Sequence, residues 1–427
     1  YSTAINQFKW FMDEKILDFK APPAGPGEFF TSTKPEQKGL KFLGKRATYN
    51  LVTSLLRVEQ VPEIKVADAS VVPDSGVVII EEDAKMHQLR NAIIYADTLK
   101  KYHKIDNAIV DIFSKEDLKG TGEYTYNTKG TKEVISLNDI SCKKETEGER
   151  KKAHDIFHLV AKATLEENKN FILYPDVTFN GDVTITSVNP LLNFKGYTKI
   201  GLKNTKANTT DFFIHQDVDP NRLELKYDSV KNSFNNKVSA GIHINPQPGT
   251  AGIYATLMSP KQNGNDLTVF NTKGIITQTN TGEYFFGDSN KIKNNALTGN
   301  VIRYDDKKGV AKAEGKFNLG LNFGTIKQVA AGNADVELDS GKYKLNLTLG
   351  LNAEAGDKIQ ERLEFYMAGD NADQPDLTYD KEKQRKAIHE IADEKDDKKL
   401  LEEFEKATVF TKRPKGFNYN LVFSDVN

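Results

Sequence analysis

Two stretches of the chain decide its fold, Val77-Val78-Ile79-Ile80 and Asn107-Ala108-Ile109-Val110-Asp111-Ile112. Both are short runs rich in β-branched residues, and similar runs recur through residues 39–137 with glycine, asparagine or aspartate between them. Such residues fit the half-buried surface of a pleated sheet, and the interruptions are typical of turns. The sequence therefore predicts a mainly β fold, an elongated repetitive antiparallel sheet of the jellyroll or solenoid kind with a few peripheral helices.

Composition and charge bound the class of protein. The chain has 427 residues, which is enough for two or three domains or for one long repetitive domain. It carries 59 Lys and Arg against 60 Asp and Glu, so no field of one sign selects nucleic acid as a partner. Cys142 is the single cysteine, which excludes an intrachain disulfide and a thiolate-only metal site. No run reaches the roughly 18 apolar residues that a membrane-spanning helix needs.

Changes of pattern divide the chain into five segments, of which the first three end at residue 169. Residues 1–27 are predicted to be a lead-in helix and a proline and glycine linker, because their apolar residues recur at helical spacing. Residues 28–142 form the first β-repeat block. Residues 143–169 are predicted to be a helical interruption, since Ala153–Glu167 also carries apolar residues at helical spacing.

The last two segments are a longer β block and a charged tail. Residues 170–351 form the second β-repeat block, with turn signals such as Asn180-Gly181. Residues 352–427 are predicted to be a charged helical segment ending in a strand. Its helices are expected at Ile359–Met367 and within Asp380–Lys406, and its strand at Phe417–Phe423.

A short phrase recurs loosely in both β blocks, consisting of a small or apolar strand, a charged or glycine turn, and an alanine and aspartate step. The closest examples are Arg46-Ala47-Thr48-Tyr49, Ile93-Ile94-Tyr95-Ala96-Asp97, Leu297-Thr298-Gly299-Asn300-Val301 and Ala311-Lys312-Ala313-Glu314-Gly315. One such unit cannot bury its faces alone, so we expect stacked units to build an extended β structure.

In these phrases the sequence resembles the OstA-like proteins of lipopolysaccharide transport in Gram-negative envelopes, over residues 39–137 and 170–350. The helix expected at Ala153–Glu167 departs from that family's regular repeats. The resemblance implies a non-enzymatic envelope scaffold, periplasmic or associated with the outer membrane, that holds or passes lipid or docks partner proteins. It also implies secretion through a signal peptide that is absent from this segment of the protein.

Binding residues for such a scaffold are expected in the second β block and at sheet edges. If a lipid groove exists, we expect Phe285, Leu319 and Phe323 to face inward along one side of it as ligand-binding residues. Exposed sheet edges invite strand addition, either by an envelope partner protein or by further copies of the chain in an oligomer.

Three polar groups suggest metal or ion binding, and each also has a simpler interpretation. His154 and His158 lie four residues apart on the expected helix, the spacing of a zinc pair, although no third ligand is identifiable and a polar helix face is the alternative. Asp217-Val218-Asp219-Pro220-Asn221 has alternating oxygen ligands but lacks the glycine and glutamate of a calcium loop. Asp305-Asp306-Lys307-Lys308-Gly309 is typical of a hairpin turn. We therefore assign no metal site and no cofactor.

No motif of the sequence assigns catalytic residues. The nucleophile-elbow, phosphate-loop and dinucleotide-binding patterns are missing from it. The aromatic pairs Phe29-Phe30 and Phe212-Phe213 and the run Tyr284-Phe285-Phe286 could pack in the core, line a groove or stack on sugars.

Two other functions stay open beside the envelope scaffold. The first is a glycan-binding or glycan-cleaving β protein, which would present exposed aromatics on a flat face or two acids in a cleft. Trp10, the only tryptophan, is expected on the lead-in helix, which counts against such a face. The second is a structural surface or adhesion segment, with Asp380–Lys406 as a spacer or a partner-binding arm.

Overall fold

The computed structural model describes residues 1–23, 25–147, 154–247, 252–320, 326–353, 386–387, 389–391 and 421–426. Two compact units divide the chain. The first comprises Tyr1–Pro175, Phe179–Gly196 and His215–Asn221, and the second comprises Asp176–Thr178, Tyr197–Ile214 and Arg222–Asn427.

The strands that lie wholly or partly in the first unit form two antiparallel sheets. In chain order they are β1 (Ser2–Thr3), β2 (Phe8–Phe11), β3 (Ile16–Lys20), β4 (Glu28–Thr31), β5 (Lys41–Gly44), β6 (Arg46–Asn50), β7 (Leu55–Glu59), β8 (Ile64–Val66), β9 (Ala69–Val72), β10 (Val78–Ile80), β11 (Leu89–Ala96), β12 (His103–Ser114), β13 (Asp117–Thr128), β14 (Thr131–Glu147), β15 (His154–Leu165), β16 (Phe171–Tyr174), β17 (Val177–Thr186), β18 (Leu192–Ile200) and β19 (Phe212–Val218). Short 3-10 helices lie at Pro35–Gln37, Asp74–Gly76, Glu82–Ala84 and Glu167–Lys169.

The larger sheet has 14 strands in the order β1-β4-β5-β8-β9-β11-β12-β13-β14-β15-β17-β18-β19, with β16 beside β17. The smaller has five strands in the order β10-β7-β6-β3-β2. Chain neighbours such as β5 and β6 lie in different sheets, so the chain passes from one sheet to the other, in this case at Lys45. Gly44 precedes this passage, and a Cβ there would lie 2.4 Å from Cγ1 of Val58, so only glycine fits.

Alternating side chains build the core of the first unit. In β12, Ala108, Val110 and Ile112 are buried, while Ile109 and Phe113 face outward, which is the period of two that a strand imposes. An aromatic cluster lies between β13 and the strands β16–β18, and its ring centroids are 5.1 to 5.7 Å apart for the pairs Tyr126–Phe171, Tyr126–Phe194 and Phe179–Phe194. The Tyr126 hydroxyl donates to the carbonyl of Leu173 (3.0 Å), which satisfies its polar atom.

The second unit adds two further antiparallel sheets and the short α-helix at Ser289–Asn294. Its remaining elements are β20 (Glu224–Tyr227), β21 (Ser239–Asn245), β22 (Gly252–Ser259), β23 (Leu267–Asn271), β24 (Gly274–Gln278), β25 (Tyr284–Gly287), α1 (Ser289–Asn294), β26 (Val301–Asp305), β27 (Val310–Phe317), β28 (Ile326–Glu337), β29 (Tyr343–Ala353) and β30 (Leu421–Val426). Eight strands pair in the order β20-β24-β25-β26-β27-β28-β29-β30, and three in the order β22-β21-β23.

Within this unit the two sheets pack together. The rings of Phe270 and Phe317 lie 4.6 Å apart, and the Asn318 N–H donates to the Val269 carbonyl (2.7 Å). The mainly β fold, with antiparallel sheets and few helices, is confirmed. Helix α1 lies inside the second β block, where only strands were expected, and the Asp288 side chain caps it by accepting from the Lys291 N–H (2.9 Å).

The lead-in helix predicted for residues 1–27 is wrong. The segment forms β1 and the hairpin of β2 and β3, and Lys15 closes the hairpin with a left-handed φ of 55°. The same segment also alternates, and Phe8 and Trp10 lie on one face of β2. Pairing of β3 with β6 then decides between the two patterns, because tertiary context overrides local periodicity.

The helix predicted at Ala153–Glu167 is also wrong. Residues 154–165 form β15, which pairs with β14 on one side and β17 on the other. Leu159, Ala161, Ala163 and Leu165 are buried at a period of two, and the half-buried Val160 between them produced the helical pattern. Two paired strands, β14 up to Glu147 and β15 from His154, therefore lie where the helical interruption of residues 143–169 was expected.

Most of the charged segment 352–427 lies outside the described residues, including the helix predicted at Ile359–Met367. Within the range Asp380–Lys406, residues 386–387 and 389–391 are described and helical. The strand predicted at Phe417–Phe423 overlaps β30, whose described residues begin at Leu421.

Candidate functional site

The open edge of the five-stranded sheet is the most distinctive surface of the first unit. β2 is the last strand in the order of that sheet, and its residues Phe8, Lys9, Trp10 and Phe11 are all exposed. Phe8 is 59% exposed and Trp10 is 55% exposed. Within the described residues no strand pairs with the outer side of β2.

The register of the hairpin tells which backbone groups face outward. The Lys20 N–H donates to the Gln7 carbonyl (3.3 Å), and opposite residues in an antiparallel pair alternate between bonded and non-bonded pairs. Lys9 and Phe11 therefore bond to β3, while the N–H and C=O groups of Phe8 and Trp10 point away from it. Each of these two residues offers a partner one donor and one acceptor.

A row of apolar side chains runs from this edge into the sheet. Directly paired residues share a face, and the registers align Trp10, Leu17, Tyr49, Leu56 and Ile80 across the five strands. Exposure falls along the row from 55% at Trp10 to 2% at Ile80, with the three residues between them half-buried. The edge thus continues a core face out to the surface.

Two loops extend the apolar surface beyond the strand. Met12 is 68% exposed at the tip of the β2–β3 hairpin, and Leu51 and Val52 are exposed in the loop between β6 and β7. The Leu51 N–H donates to the Lys15 carbonyl (2.9 Å), which joins the two loops. We call Phe8, Trp10, Met12, Leu51 and Val52 the β2 patch; Phe11, which is also exposed, lies on the opposite face of β2. Clustered exposed apolar residues of this kind mark interaction sites more often than isolated ones do.

An ion pair on the opposite face of the sheet holds the hairpin in place. Asp18 is 5% exposed and accepts from Nε (3.0 Å) and Nη2 (3.4 Å) of Arg46 on the neighbouring strand. The Asp18 carboxylate raises the pKa of the Arg46 guanidinium by hydrogen bonding and by its charge. β3 is therefore fixed to β6 at the position where it supports the open edge.

One cluster of the first unit contains the residue types of a hydrolase triad but not their arrangement. Oδ2 of Asp68 bonds to Nδ1 of His158 (2.9 Å) and accepts from the Ser187 hydroxyl, while Oδ1 accepts from the Leu159 N–H (2.8 Å). In a triad the imidazole stands between the hydroxyl and the carboxylate and removes the hydroxyl proton. Here the carboxylate is in the centre and Ser187 is fully buried, so the cluster fastens the β8–β9 turn to β15.

The zinc hypothesis for His154 and His158 assumed a helix, whereas these residues lie on strand β15. Four residues along a strand span roughly 13 Å, about twice the distance across one helical turn, so the helical spacing that suggested a shared zinc ion is absent. Among the described residues no group of three or more His, Cys, Asp and Glu side chains is arranged to hold a metal ion.

The acidic stretches are occupied by local hydrogen bonds. Asp217 accepts from the side-chain amides of Asn189 and Asn193 (2.8 Å each), and Asp219 accepts from the Asn221 N–H (2.9 Å). Asp305 accepts from the N–H groups of the two lysines that follow it, in the turn between β26 and β27. The hairpin-turn interpretation of residues 305–309 is confirmed.

The three expected groove residues have different positions. Phe285 lies half-buried on β25, on the face opposite to the buried Tyr284 and Phe286, and the Arg303 guanidinium lies 5.8 Å from its ring centroid. Leu319 is half-buried and follows β27. Phe323 lies outside the described residues. No described contact joins Phe285 to Leu319, so the groove stays a prediction.

Sequence reasoning missed the β2 patch, and it placed Trp10 on a helix that does not exist. The available signal was the alternation of Phe8, Lys9 and Trp10 before the turn residues 13–15, which is typical of a hairpin arm. Within the described residues no helix is both long and apolar enough to cross a membrane. Comparisons of the chain with protein-family models, with curated proteins and with solved structures found no match.

Proposed function

We propose that the chain is a non-enzymatic scaffold of the cell envelope that docks a partner protein by adding a strand of that partner to β2. The single observation that carries this proposal is the open edge, where Phe8 and Trp10 combine outward backbone groups with exposed aromatic side chains. Strand addition uses main-chain hydrogen bonds for affinity and alternate side chains for specificity, and β2 offers both.

The chemistry of β2 favours a partner over plain exposure to water. Proteins protect free edges with short strands, charged side chains such as lysine, proline, bulges or covering segments, because unpaired edges aggregate. β2 is short and carries Lys9, but its other three residues are exposed aromatics and it has no proline. The matching partner segment is extended, has apolar side chains at alternate positions to meet Phe8 and Trp10, and has an acidic residue to meet Lys9.

A periplasmic or outer-membrane location belongs to the same proposal and rests on the resemblance to the OstA-like proteins. Partners in that compartment include other β proteins with exposed edges, and strand addition between them needs no cofactor.

The docking test uses the whole chain, secreted into the envelope of a Gram-negative host, with a photoreactive amino acid in place of Trp10. Leu99, which is 90% exposed in a loop of the same unit, supplies the control position. We expect one protein to crosslink from position 10 and not from position 99. Hydrogen exchange at the amides of Phe8 and Trp10 should then slow when that protein is added. Identical products from both positions, or unprotected amides in the complex, would contradict the proposal.

The lipid-holding part of the proposal concerns Phe285, Leu319 and Phe323. Its support is the half-exposed Phe285 ring on a sheet face, beside the Arg303 guanidinium, which pairs with Glu283 (2.6 Å). Native mass spectrometry of the chain purified from a Gram-negative host should detect a stoichiometric acyl-chain species that Phe285→Asp abolishes. A clean apo mass that resists added lipid would remove this part and leave docking at β2 untouched.

A further inference from the structure

A pocket in the second unit has a chemistry unrelated to strand addition. Its volume is about 430 Å³, and it lies between the aromatic rings of Tyr197 on β18 and Phe213 on β19 and the loop of residues 228–235. Pockets for small molecules measure roughly 300–1,000 Å³, so this one has the size of a ligand site.

One wall of the pocket is aromatic. The rings of Tyr197 and Phe213 meet edge to face, with centroids 5.6 Å apart and an angle of 74° between their planes. Phe213 is 38% exposed, although Phe212 and Ile214 on either side of it are buried. Phe213 therefore points away from the core and lines the pocket with its ring.

The opposite wall is a loop that is held rigid by its own hydrogen bonds. Asn232 is 4% exposed, and its Oδ1 accepts from the N–H groups of Phe234 (3.1 Å) and Asn236 (2.8 Å). Its own N–H donates to the Asn236 carbonyl (3.0 Å). Nζ of Lys231 donates to Oδ1 of Asn235 (2.8 Å), which also fixes the lysine. A preformed wall loses little conformational entropy when a ligand binds.

Two further bonds fix the loop relative to the aromatic wall. The Phe213 N–H donates to the Lys231 carbonyl (3.0 Å), and the Ser233 N–H donates to Oδ2 of Asp211 (3.0 Å), just before β19. The strand that carries the ring thus also carries the loop, and the width of the pocket is set by the backbone.

The polar groups of the pocket suit a neutral ligand with many hydroxyls. Asp228 supplies a carboxylate and Lys231 an ammonium, so the formal charges of the wall cancel. Ser229 and Ser233 add hydroxyls, which donate and accept. A sugar hydroxyl also donates and accepts, and the C–H groups of a sugar ring carry the small positive charge that the negative face of an aromatic ring attracts.

We propose that this pocket binds a neutral saccharide, whose ring stacks on Phe213 and whose hydroxyls bond to Asp228 and Lys231. Phe234, which is 80% exposed in the same loop, would contact a second sugar residue of a longer saccharide. The site is independent of docking at β2 and gives the scaffold a second kind of ligand.

The test titrates the whole chain with neutral disaccharides of glucose, galactose and N-acetylglucosamine, monitored by calorimetry and by saturation-transfer NMR. We expect at least one of them to bind, and Phe213→Ala to weaken it about tenfold through loss of stacking. Asp228→Asn keeps the shape of the loop and should weaken binding as well. Phe113→Ala, at a 48% exposed phenylalanine of β12, is the matched control and should bind like the wild type.

Three outcomes would overturn the proposal. The first is that no neutral sugar binds at millimolar concentration. The second is that Phe213→Ala binds like the wild type while its far-ultraviolet circular dichroism shows an intact fold. The third is that acidic sugars bind more tightly than neutral ones, because the pocket would then recognise charge. The outcome of the docking test at β2 does not affect any of these three results.

Discussion

The two edges of the five-stranded sheet differ, because the chain covers one of them and leaves the other open. At β10 the chain turns back on itself: the His87 N–H donates to the Ile79 carbonyl (2.8 Å), the Glu81 N–H donates to the Lys85 carbonyl (2.7 Å), and Met86 forms a bridge with Ile80. At β2 no such cover exists among the described residues. The described residues therefore cover the β10 edge and leave the β2 edge open, as the proposed strand addition requires.

Side chains are also more buried at the covered edge than at the open one. Val78 and Ile80 of β10 are 0% and 2% exposed, whereas Phe8 and Trp10 of β2 are more than half exposed. The covered edge therefore contributes to the folding free energy, while the open edge leaves apolar area in contact with water. Mutations at the two edges should separate stability from binding.

The largest effect is expected at the covered edge. Ile80→Ala should lower the free energy of unfolding by about 3 kcal/mol, because it removes buried methyl groups between Leu56 and Met86 and leaves a cavity. Trp10→Ala, at the other end of the same apolar row, should lower it by less than about 1 kcal/mol. Chemical denaturation of both variants measures the difference, and equal losses would show that the two edges are equally built into the core.

Acid should loosen a protected strand in the second unit. His243 lies on β21, the central strand of its sheet, is 1% exposed, and bonds to the hydroxyls of Thr256 (2.9 Å) and Thr268 (3.0 Å). Burial, aided by the charge of Lys261, lowers the pKa of His243 from 6.5 to about 4. Its imidazole is therefore neutral in the folded state at any pH above that value.

The free energy of unfolding should fall as the pH falls, because the unfolded chain takes up a proton before the folded one does. Above pH 6.5 both states hold a neutral imidazole, and as pH falls from 6.5 to about 4 only the unfolded chain takes up the proton. The free energy of unfolding should fall by about 3 kcal/mol over that window. His243→Gln should flatten this pH dependence, and His215→Gln, at an exposed histidine of β19, should leave it unchanged. A wild-type slope in the His243 variant would mean that another group is responsible.

Closing the open edge should affect binding and spare the fold. Trp10→Lys places a second charge on β2, as protected edges do, and should weaken docking of the crosslinked partner about thirtyfold through loss of a central aromatic contact. Because Trp10 makes no backbone hydrogen bond to β3, the melting temperature should stay within about 2 °C of the wild type. Surface plasmon resonance measures the affinity for the partner, and scanning calorimetry on the same sample measures the melting temperature. A variant that melts early would mean that Trp10 supports the core.

The sequence predicted the strand content of this molecule well and its first strands badly. Residues 107–112 alternate cleanly in the buried sheet, and their pattern alone predicts β12. Residues 8–19 fit a helix and a hairpin equally well, and the contact that decides between them is the pairing of β3 with β6, about 30 residues away. Local periodicity carries no information about such pairing.

Sequence patterns predicted the candidate sites less well than they predicted the strands. The β2 patch depends on which strand ends a sheet. The pocket beside Phe213 depends on the loop of residues 228–235, which the hydrogen bond from the Phe213 N–H to the Lys231 carbonyl holds beside β19. The pair Phe212-Phe213 was predicted to pack in the core, line a groove or stack on sugars, and the structure separates the two rings, since Phe212 is fully buried and Phe213 lines the pocket. Only the alternation of a strand separates two such neighbours.

The smallest expected effect tests what holds the open edge in place. Arg46→Gln should lower the free energy of unfolding by about 1 kcal/mol, because the Asp18 carboxylate stays buried while its bidentate partner is lost. The value is modest since the Arg46 side chain is 47% exposed, and water screens part of the pair. The matched control is Arg57→Gln, which breaks the pair with Glu59 (3.0 Å) between two partly exposed side chains and should change stability by less than about 0.5 kcal/mol. If Arg46→Gln also speeds hydrogen exchange at Lys9 and Phe11 while Arg57→Gln does not, the buried Asp18 holds the hairpin against β6 and thereby keeps the edge of β2 straight enough to accept a partner strand. Equal exchange in both variants would mean that the backbone pairing of β3 with β6 suffices and that the ion pair contributes only to global stability.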